Sequence, residues 1–289
     1  MAKSWYLFLV PLLALLSLIE FYPLLYSIYL SVTNATGGFS LTNYSAMVRD
    51  PAFWTSANVS ILYSLSSTLL AVGIGVGLIY ILAQDFRGRR LCEILFILPM
   101  AVAPIVVGTL WSPASVWDDI QSFMHFVLGF HYFDELTPLF YFPVMALSEA
   151  WEWAPLIMLV GLSVMNSVPR AIYEAADLHG ASAWQKFRMV TLPAIFKSPV
   201  TQFVLVLRFI DAMRAFEIPL SWANWVGQPN TIGSPVDTLS LFLYKLLFIP
   251  SFGFPIGLVS AVAVSLFGIT LVGAVILLRL LGAIGGITK

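Results

Sequence analysis

Charged residues are scarce in this chain of 289 amino acids. Only 10% of its residues are charged, whereas 60% are hydrophobic, and a soluble domain carries about 25% charged residues. This composition excludes an ordinary soluble domain and indicates an integral membrane protein. The net charge of −1 and the absence of a basic stripe argue against a nucleic-acid partner.

Cysteine and the common catalytic motifs are also missing. The single cysteine, Cys92, excludes an intramolecular disulfide and a CxxC metal site. The sequence contains no GxxxxGK[ST] phosphate loop, no GxSxG and no HExxH. His125 and His131 lack metal-ligand spacing. We therefore predict no metal site and no catalytic residue, so any ATP hydrolysis must take place in another subunit.

Long apolar segments dominate what is present. A helix needs about 20 mostly apolar residues to cross a bilayer. Six segments approach that length: 5–32, 58–83, 91–111, 141–166, 198–220 and 256–281. They show no period-2 alternation, which disfavours a barrel. We predict an all-α, polytopic membrane protein with six transmembrane helices, in which Gly73, Gly75 and Gly77 favour close helix packing.

Basic residues are concentrated in the loops on one side of these spans. They are Arg87, Arg89, Arg90, Arg170, Lys186, Arg188 and Lys197. The loop over 112–140 has four acidic residues and no Lys or Arg. The positive-inside rule then predicts a multi-pass protein of the cell membrane with both termini and the loop 167–197 in the cytoplasm. On the outer side, 114–129 has the spacing of an interfacial helix, and Asn34 and Asn43 begin glycosylation sequons.

The cytoplasmic loop 167–197 has an ordered pattern of small and polar residues. Glu174-Ala175-Ala176 is followed, after three residues, by Gly180. After nine intervening residues come the aliphatic Val190, one further residue and Leu192-Pro193. The two alanines leave a helical face on which the backbone of another protein can approach closely, and Gly180 permits a sharp turn.

Local signals predict a helix-turn-helix in this loop. Pro169 suits the first turn of a helix. Ser182 and Gln185 have capping-box spacing for a second, short helix, and Pro193 stands where that helix should end. The turn at Gly180 is expected to have little room for a side chain.

The pattern resembles the coupling loop of binding-protein-dependent ABC importer permeases. Resemblance to the carbohydrate-importer (maltose-type) branch extends over nearly the whole chain, through Tyr22-Pro23-Leu24, Thr42-Asn43-Tyr44, Leu98-Pro99, Trp151 to Pro155 and Phe216-Glu217. Two departures weaken the assignment to a subfamily. The GGP signature of the branch appears only as Gly227-Gln228-Pro229, and His179 stands where Asp is usual.

The resemblance implies a single transmembrane domain over 1–289, with 167–197 as the coupling loop. Contacts to the ATPase would come from Glu174, Ala175, Ala176, Gly180, Leu192 and Pro193. The implied partners are a second permease subunit, two subunits that bind ATP and Mg, an extracytoplasmic sugar-binding protein and membrane lipid. The chain itself would bind no cofactor. The implied function is translocation of a mono- or short oligosaccharide, such as glucose or maltose, by alternating access.

Charged residues also occur inside the predicted spans. Glu149 and Glu152 open the fourth span, and Arg208, Asp211, Arg214 and Glu217 recur every third residue along the fifth. A charge at the bilayer centre costs about 2.5–3.5 kcal/mol, so such groups usually face the interior of the bundle or water. Either they line a sugar path, or they form structural ion pairs, which can join Arg208 to Asp211 and Arg214 to Asp211 or Glu217.

A sugar path needs polar groups for hydroxyls and aromatic faces for C–H surfaces. Trp151, Trp153 and Phe209 lie near the acidic positions, although an aromatic belt at the membrane interface is the more common explanation for such residues. We assign the candidate substrate path to Glu149, Glu152, Trp153, Phe209, Asp211 and Met213.

Two other functions remain open from the sequence. An ABC permease for another solute, such as a polyamine, phosphate or an osmolyte, would carry the same coupling loop. A membrane-embedded enzyme would need a clustered nucleophile or paired acids, and it would leave that loop unexplained.

Overall fold

The computed structural model describes residues 5–34, 36–112, 122–123, 126–127, 138–226, 228, 230–249 and 254–285. Among these residues there is no β-strand, only an isolated bridge between Thr33 and Phe39. The predicted all-α fold is therefore confirmed. Of the predicted interfacial helix at 114–129, only residues 122–123 and 126–127 are described, and His125 and His131 lie outside the described residues.

Helices of very different length follow one another along the chain. In order they are α1 (Trp5–Leu16), α2 (Tyr22–Ser31), α3 (Thr42–Arg49), α4 (Pro51–Leu82), α5 (Arg89–Ile97), α6 (Pro104–Leu110), α7 (Pro138–Ser167), α8 (Arg170–Leu178), α9 (Ala183–Lys186), α10 (Leu192–Lys197), α11 (Pro199–Met213), α12 (Glu217–Trp225), α13 (Leu239–Phe248) and α14 (Ile256–Gly285). Two π-helical turns, Ser17–Phe21 and Phe187–Thr191, and a 3-10 turn at Leu98–Ala101 connect neighbouring helices.

Within the described part of the chain, four continuous helical segments are long and apolar enough to cross a membrane: Leu9–Ser31, Pro51–Leu82, Phe142–Ser167 and Ile256–Gly282. Two further spans are bent pairs of helices. Arg89–Ala101 meets Pro104–Leu110 at 100°, and Ala183–Lys197 meets Pro199–Trp225 at 68°. The predicted count of six holds when each bent pair is one span, and the third and fifth spans are the bent ones.

Proline explains both bends. Ala103 precedes Pro104 with ψ 138, and Ser198 precedes Pro199 with ψ 126. The proline ring crowds the preceding residue and disfavours its α conformation, so the helix stops and a new one starts in another direction. By contrast, α7 contains Pro143 and Pro155 without a break. A proline in an apolar run therefore does not by itself reveal a bend.

The packing of α4 against α7 forms the centre of the bundle. A Cβ on Gly75 would lie 2.7 Å from the Ile157 Cβ and 3.1 Å from the Ala154 carbonyl oxygen, so glycine permits the close approach of the two helices here. A Cβ on Gly73 or Gly77 would meet nothing within 4 Å. Of the three glycines predicted to favour close packing, only Gly75 lies at a close contact within this chain.

The side of the bundle opposite the loop 167–197 is closed by hydrogen-bonded loops. The Asn43 side-chain amide donates to the Leu30, Ser31 and Thr33 carbonyls at 3.4, 3.1 and 3.0 Å, which satisfies the C-terminal end of α2. Because this nitrogen is occupied in the folded chain, the Asn43 sequon is a poor acceptor for a glycan. In the Asn34 sequon it is instead the side-chain oxygen that accepts hydrogen bonds, from Thr36 and Gly38.

A buried ion pair ties α13 to the preceding loop. The Lys245 Nζ lies 2.7 Å from the Asp237 Oδ1, and both residues are 0% exposed. The same ammonium donates to the Gln228 and Thr231 carbonyl oxygens at 3.1 and 2.7 Å. All three donors of the lysine are therefore used, and the charge is compensated where water does not reach it.

Candidate coupling surface and substrate cavity

Residues 167–197, which we call the EAA loop, form a helix-turn-helix. The first helix, α8, starts directly after Pro169, one residue later than predicted. Gly180 has φ +72, in the left-handed region that favours glycine. The backbone N–H groups of Gly180 and Ala181 donate to the Asp177 and Ala176 carbonyls at 2.9 and 3.0 Å, which closes the end of α8.

A capping box starts the second helix, as predicted. The Gln185 backbone N–H donates to the Ser182 Oγ at 3.2 Å, and the Ser182 N–H donates to the Gln185 Oε1 at 2.7 Å. Together these two bonds satisfy donors that an uncapped helix would leave open.

Two expectations for this loop are wrong. The second helix does not end at Pro193, because helical structure continues from Ala183 to Lys197 and Pro193 falls in the first turn of α10. The π-helical turn Phe187–Thr191 directly precedes this turn, and the helix continues through Pro193 without a break. The turn at Gly180 is also not crowded, since a Cβ on that residue meets nothing within 4 Å. The constraint on Gly180 is its backbone conformation.

Aromatic contacts attach the EAA loop firmly to the helix bundle. Phe187 is buried with Ile79 and Met158, which belong to α4 and α7. The Tyr80 ring lies 5.0 Å from the Phe187 ring and 5.4 Å from the Trp184 ring. A movement of the loop would therefore be transmitted to the ends of two spans.

The outer face of the EAA loop is apolar and exposed. Leu178 is 90% exposed and Met189 is 73% exposed. Glu174, Ala175 and Gly180 are exposed, whereas Ala176, Leu192 and Pro193 are half-buried. Exposed apolar side chains grouped on a short, rigid knob mark an interaction surface. Of the six predicted coupling residues, Glu174, Ala175 and Gly180 are thus accessible, and Leu192 and Pro193 form part of the stem that leads into α11.

A cavity of about 170 Å³ lies where α6, α7, α11 and α12 meet. Its lining includes four of the six residues predicted for the substrate path: Glu149, Glu152, Trp153 and Asp211. Arg214, Phe216 and Glu217 add two charges and an aromatic ring. The cavity therefore combines carboxylates with aromatic surface, as predicted for a path that contacts hydroxyls and C–H faces.

Arg208 organises one wall of this cavity. Its Nη2 lies 2.8 Å from the Glu149 Oε1 and donates to the Ser67 Oγ at 3.2 Å. Its Nη1 lies 3.7 Å from the Asp211 Oδ2, and its guanidinium carbon lies 5.1 Å from the Trp153 ring centroid. The side chain therefore joins α4, α7 and α11 through a buried ion pair, a hydrogen bond and a cation–π contact.

The ion pairs agree only in part with the predicted ones. Arg208–Asp211 is present, but among the described residues Arg214 pairs with neither Asp211 nor Glu217. The shorter of the two Arg208 pairs, Arg208–Glu149, joins two helices and was not predicted. No sequence pattern near either residue indicates that they meet.

Several polar atoms at the cavity have no hydrogen-bond partner. They include one carboxylate oxygen of Glu149 and one of Glu152, although the two residues are only 3% and 6% exposed. The buried Tyr63 hydroxyl interacts electrostatically with Glu149 but does not reach hydrogen-bond geometry. Buried acceptors are usually satisfied, so unpaired ones beside a cavity indicate a place where a ligand's hydroxyl groups can donate.

Phe209 and Met213 do not line this cavity. Phe209 packs against α14, where a Cβ on Gly273 would lie 2.7 Å from its ring. Met213 is fully buried, and its sulfur accepts a hydrogen bond from the Ser64 Oγ at 3.0 Å. Both contribute to the packing that holds α11 in place. Trp151 lies against Trp111, with 5.8 Å between the ring centroids.

Membrane-spanning helices around a polar cavity, joined to an exposed helix-turn-helix, define a membrane transport permease. The family model for the inner membrane component of binding-protein-dependent transport systems matches residues 70–284, and the chain belongs to that family. The membership expected from the EAA loop is thereby confirmed.

Similarity to curated relatives covers more of the chain than the family model does. The chain is 26% identical over 253 residues to the trehalose/maltose permease MalF of Thermococcus litoralis, covering 85% of this chain and 84% of the relative. It is 26% identical over 285 residues to the trehalose permease SugA of Mycobacterium tuberculosis, covering 96% and 88%. It is 28% identical over 289 residues to the sulfoquinovosyl glycerol permease SmoG of Agrobacterium fabrum, covering 95% and 89%.

A solved structure shares the fold. A chain of a bacterial ABC transporter that imports the acidic polysaccharide alginate superposes with a TM-score of 0.80 at 17% identity, covering 98% of this chain and 96% of that one. The same transporter has been solved in complex with its alginate-bound periplasmic protein, and a chain of that complex superposes with a TM-score of 0.77 at 18% identity. These likenesses support the architecture of the bundle and its bent spans.

Proposed function

We propose that this chain is one permease subunit of an ATP-driven sugar importer. It receives a mono- or short oligosaccharide, such as glucose or maltose, from an extracytoplasmic binding protein. It passes the sugar across the cell membrane by alternating access together with a second permease subunit. Two partner subunits bind ATP and Mg, and this chain takes no part in the chemistry of hydrolysis. Both termini and the EAA loop lie in the cytoplasm.

The observation that carries the proposal is the cavity between α7 and α11. Glu149 and Glu152 present unpaired acceptors there, and the Trp153 ring lies beside them. Sugar hydroxyls are donors that can satisfy such acceptors, and a sugar's C–H face packs on an aromatic ring. Curated relatives named for trehalose, maltose and sulfoquinovosyl glycerol transport support a saccharide cargo.

A polyamine is the second candidate cargo. The cavity has more carboxylates than guanidinium groups, which would also suit a polycation. A sugar is favoured because the acceptors lie beside an aromatic face, and because the relatives named above carry sugars. Uptake of labelled maltose, trehalose and spermidine by vesicles that contain the whole transporter distinguishes the two. Spermidine uptake without saccharide uptake would overturn the sugar assignment.

Substitutions of the cavity acids test the path directly. We expect Glu152→Gln and Asp211→Asn to reduce sugar transport while binding-protein association and basal ATP hydrolysis persist, because both change the cavity without touching the EAA loop. Glu93→Gln, a carboxylate change in α5 outside the cavity, is the matched control. If transport stays normal and only assembly weakens, the two acids have a structural role and their assignment to the substrate path is wrong.

Substitutions at Gly180 test coupling. A residue at φ +72 costs about 1 kcal/mol unless it is glycine or asparagine. Gly180→Asn should therefore preserve the turn and transport. Gly180→Trp has room within this chain, but it adds a large side chain to the exposed knob. It should assemble while ATP hydrolysis no longer drives uptake. Normal uptake by an assembled Gly180→Trp complex would remove the coupling role from this loop.

A further inference from the structure

The charges around the cavity do not balance. Four carboxylates, those of Glu149, Glu152, Asp211 and Glu217, line it together with the Arg214 guanidinium. Arg208 lies behind them and contacts two of the four. With every group ionised, the site carries a formal charge of −2. Protonation of one buried acid would still leave it negative.

The positive groups are poorly placed to receive an anion. Arg208 is 1% exposed and already contacts Glu149, Asp211 and Ser67. Arg214 is accessible, but it shares the lining with all four acids. An incoming carboxylate or sulfonate would therefore meet acceptors more often than donors. Burial of Glu149 and Glu152 strengthens their part of this repulsion, because the surroundings screen charge less than water does.

The unpaired oxygens favour a cargo that donates hydrogen bonds. Glu149 and Glu152 each hold one buried carboxylate oxygen without a partner. Both oxygens are closed off from solvent, so a hydroxyl or an amine of the cargo reaches them only when the cavity wall opens, whereas an anionic group adds further acceptors. An anionic cargo would leave these buried acceptors unsatisfied and would be repelled by the carboxylates. The same acceptors favour a cargo that donates hydrogen bonds to them.

We propose that this cavity selects against anionic saccharides, so that the cargo is an uncharged or amine-bearing sugar. This inference rests on the proposed sugar-import function and narrows its substrate class. Saccharides that carry carboxylate, sulfonate or phosphate groups are rejected at the permease itself, in addition to any selection by a binding protein. The shared fold with an alginate importer and the 28% identity to a sulfoquinovosyl glycerol permease therefore do not extend to an acidic cargo here.

Cysteine reactivity measures the sign of the local potential. The variant Ala215→Cys, in a Cys92→Ser background, places a thiol on the cavity lining. The whole transporter is treated with two methanethiosulfonates of similar size, the cationic trimethylammonium-ethyl and the anionic sulfonatoethyl reagent. Thr36→Cys in an exposed loop gives the reference ratio of their rates.

Relative to that reference, the cavity thiol should prefer the cationic reagent by at least about tenfold, because two net charges within several ångströms act with opposite sign on the two reagents. The preference should fall severalfold in Glu152→Gln and weaken at high salt. An equal or reversed preference would overturn the proposal, whatever the transporter carries. Should Ala215→Cys fail to assemble, Phe216→Cys offers a second position on the same lining.

Protection experiments test the cargo class independently of any binding protein. Maltose or trehalose should slow labelling of the cavity thiol by neutral N-ethylmaleimide, and an alginate trisaccharide at the same concentration should not. Equal protection by the alginate trisaccharide would overturn the selection. If no saccharide protects while the cationic preference persists, the sugar function fails, and with it the sugar class proposed here. The reagent preference then still gives the sign of the electrostatic potential in the cavity.

Discussion

The close approach of α4 to α7 at Gly75 predicts a position-specific loss of stability. In Gly75→Ala the new Cβ would lie 2.7 Å from the Ile157 Cβ and 3.1 Å from the Ala154 carbonyl oxygen. Ordinary van der Waals separations are about 3.5–4.0 Å. Neither neighbour is the free end of a flexible side chain, so the helices must move apart. Overpacking of this kind costs about 1–3 kcal/mol.

The same helix supplies two controls. A Cβ on Gly73 or Gly77 meets nothing within 4 Å, so alanine at either position should be neutral or should gain up to about 1 kcal/mol in helix propensity. Gly161→Ala is a further comparison. There the new Cβ would meet the terminal methyl of Ile79, which can rotate away. Its cost should therefore fall between that of Gly75→Ala and those of the controls.

Thermal unfolding of the detergent-solubilised transporter, followed at one heating rate, ranks these variants. A change of 1 kcal/mol moves the midpoint by about 2–4 °C in domains of 150–250 residues. We therefore expect Gly75→Ala to melt several degrees below Gly73→Ala and Gly77→Ala. A midpoint for Gly75→Ala equal to those of the two controls would show that α4 and α7 are not in close contact at this point.

Two further predictions concern the ends of the spans. In a Cys92→Ser background, Phe39→Cys should react with an impermeant maleimide added outside, whereas Glu174→Cys should react only after the membrane is opened. Both residues are exposed, and the proposed topology places them on opposite sides of the membrane. Reversed labelling would show that the proposed orientation is inverted. Lys245→Met leaves Asp237 buried without its partner and should cost about 3–5 kcal/mol. The double variant with Asp237→Asn should recover part of that loss in the same melting assay, and additive losses would show that the pair is not coupled.

Sequence reasoning reached the number of spans and the shape of the EAA loop because both depend on local signals. Apolar length identifies a span, and Ser182 with Gln185 identifies a capped helix start. Hydropathy gives the length of an apolar segment but not the direction of its helix axis, so it could not show the 100° and 68° bends. The Ala103-Pro104 and Ser198-Pro199 steps carried that information, but similar prolines inside α7 cause no break.

The difference between local and tertiary contacts also explains which features of the cavity could be predicted. Arg208 and Asp211 are three residues apart on one helix, so their pairing was predictable. The Arg208–Glu149 pair joins α11 to α7 and depends on tertiary packing. Phe209 was assigned to the path as an aromatic residue near the acidic positions, and Met213 was assigned with it; each stands two residues from Asp211. Two residues on an α-helix differ by about 200° in direction, however, which turns both side chains towards the packed interior.

The bend at Ser198 makes α11 a lever. One residue separates the helical stem Ala183–Lys197 from Pro199–Trp225, so the EAA loop and the cavity lie on two arms of one continuous chain. From Pro199 to Asp211 the helix rises roughly 18 Å, at about 1.5 Å per residue. A tilt of about 10° at the bend would carry Asp211 sideways by about 3 Å, roughly the length of one hydrogen bond. Such a displacement is large enough to break the Arg208–Glu149 contact between α11 and α7 or to open the cavity wall, with no helix unwinding.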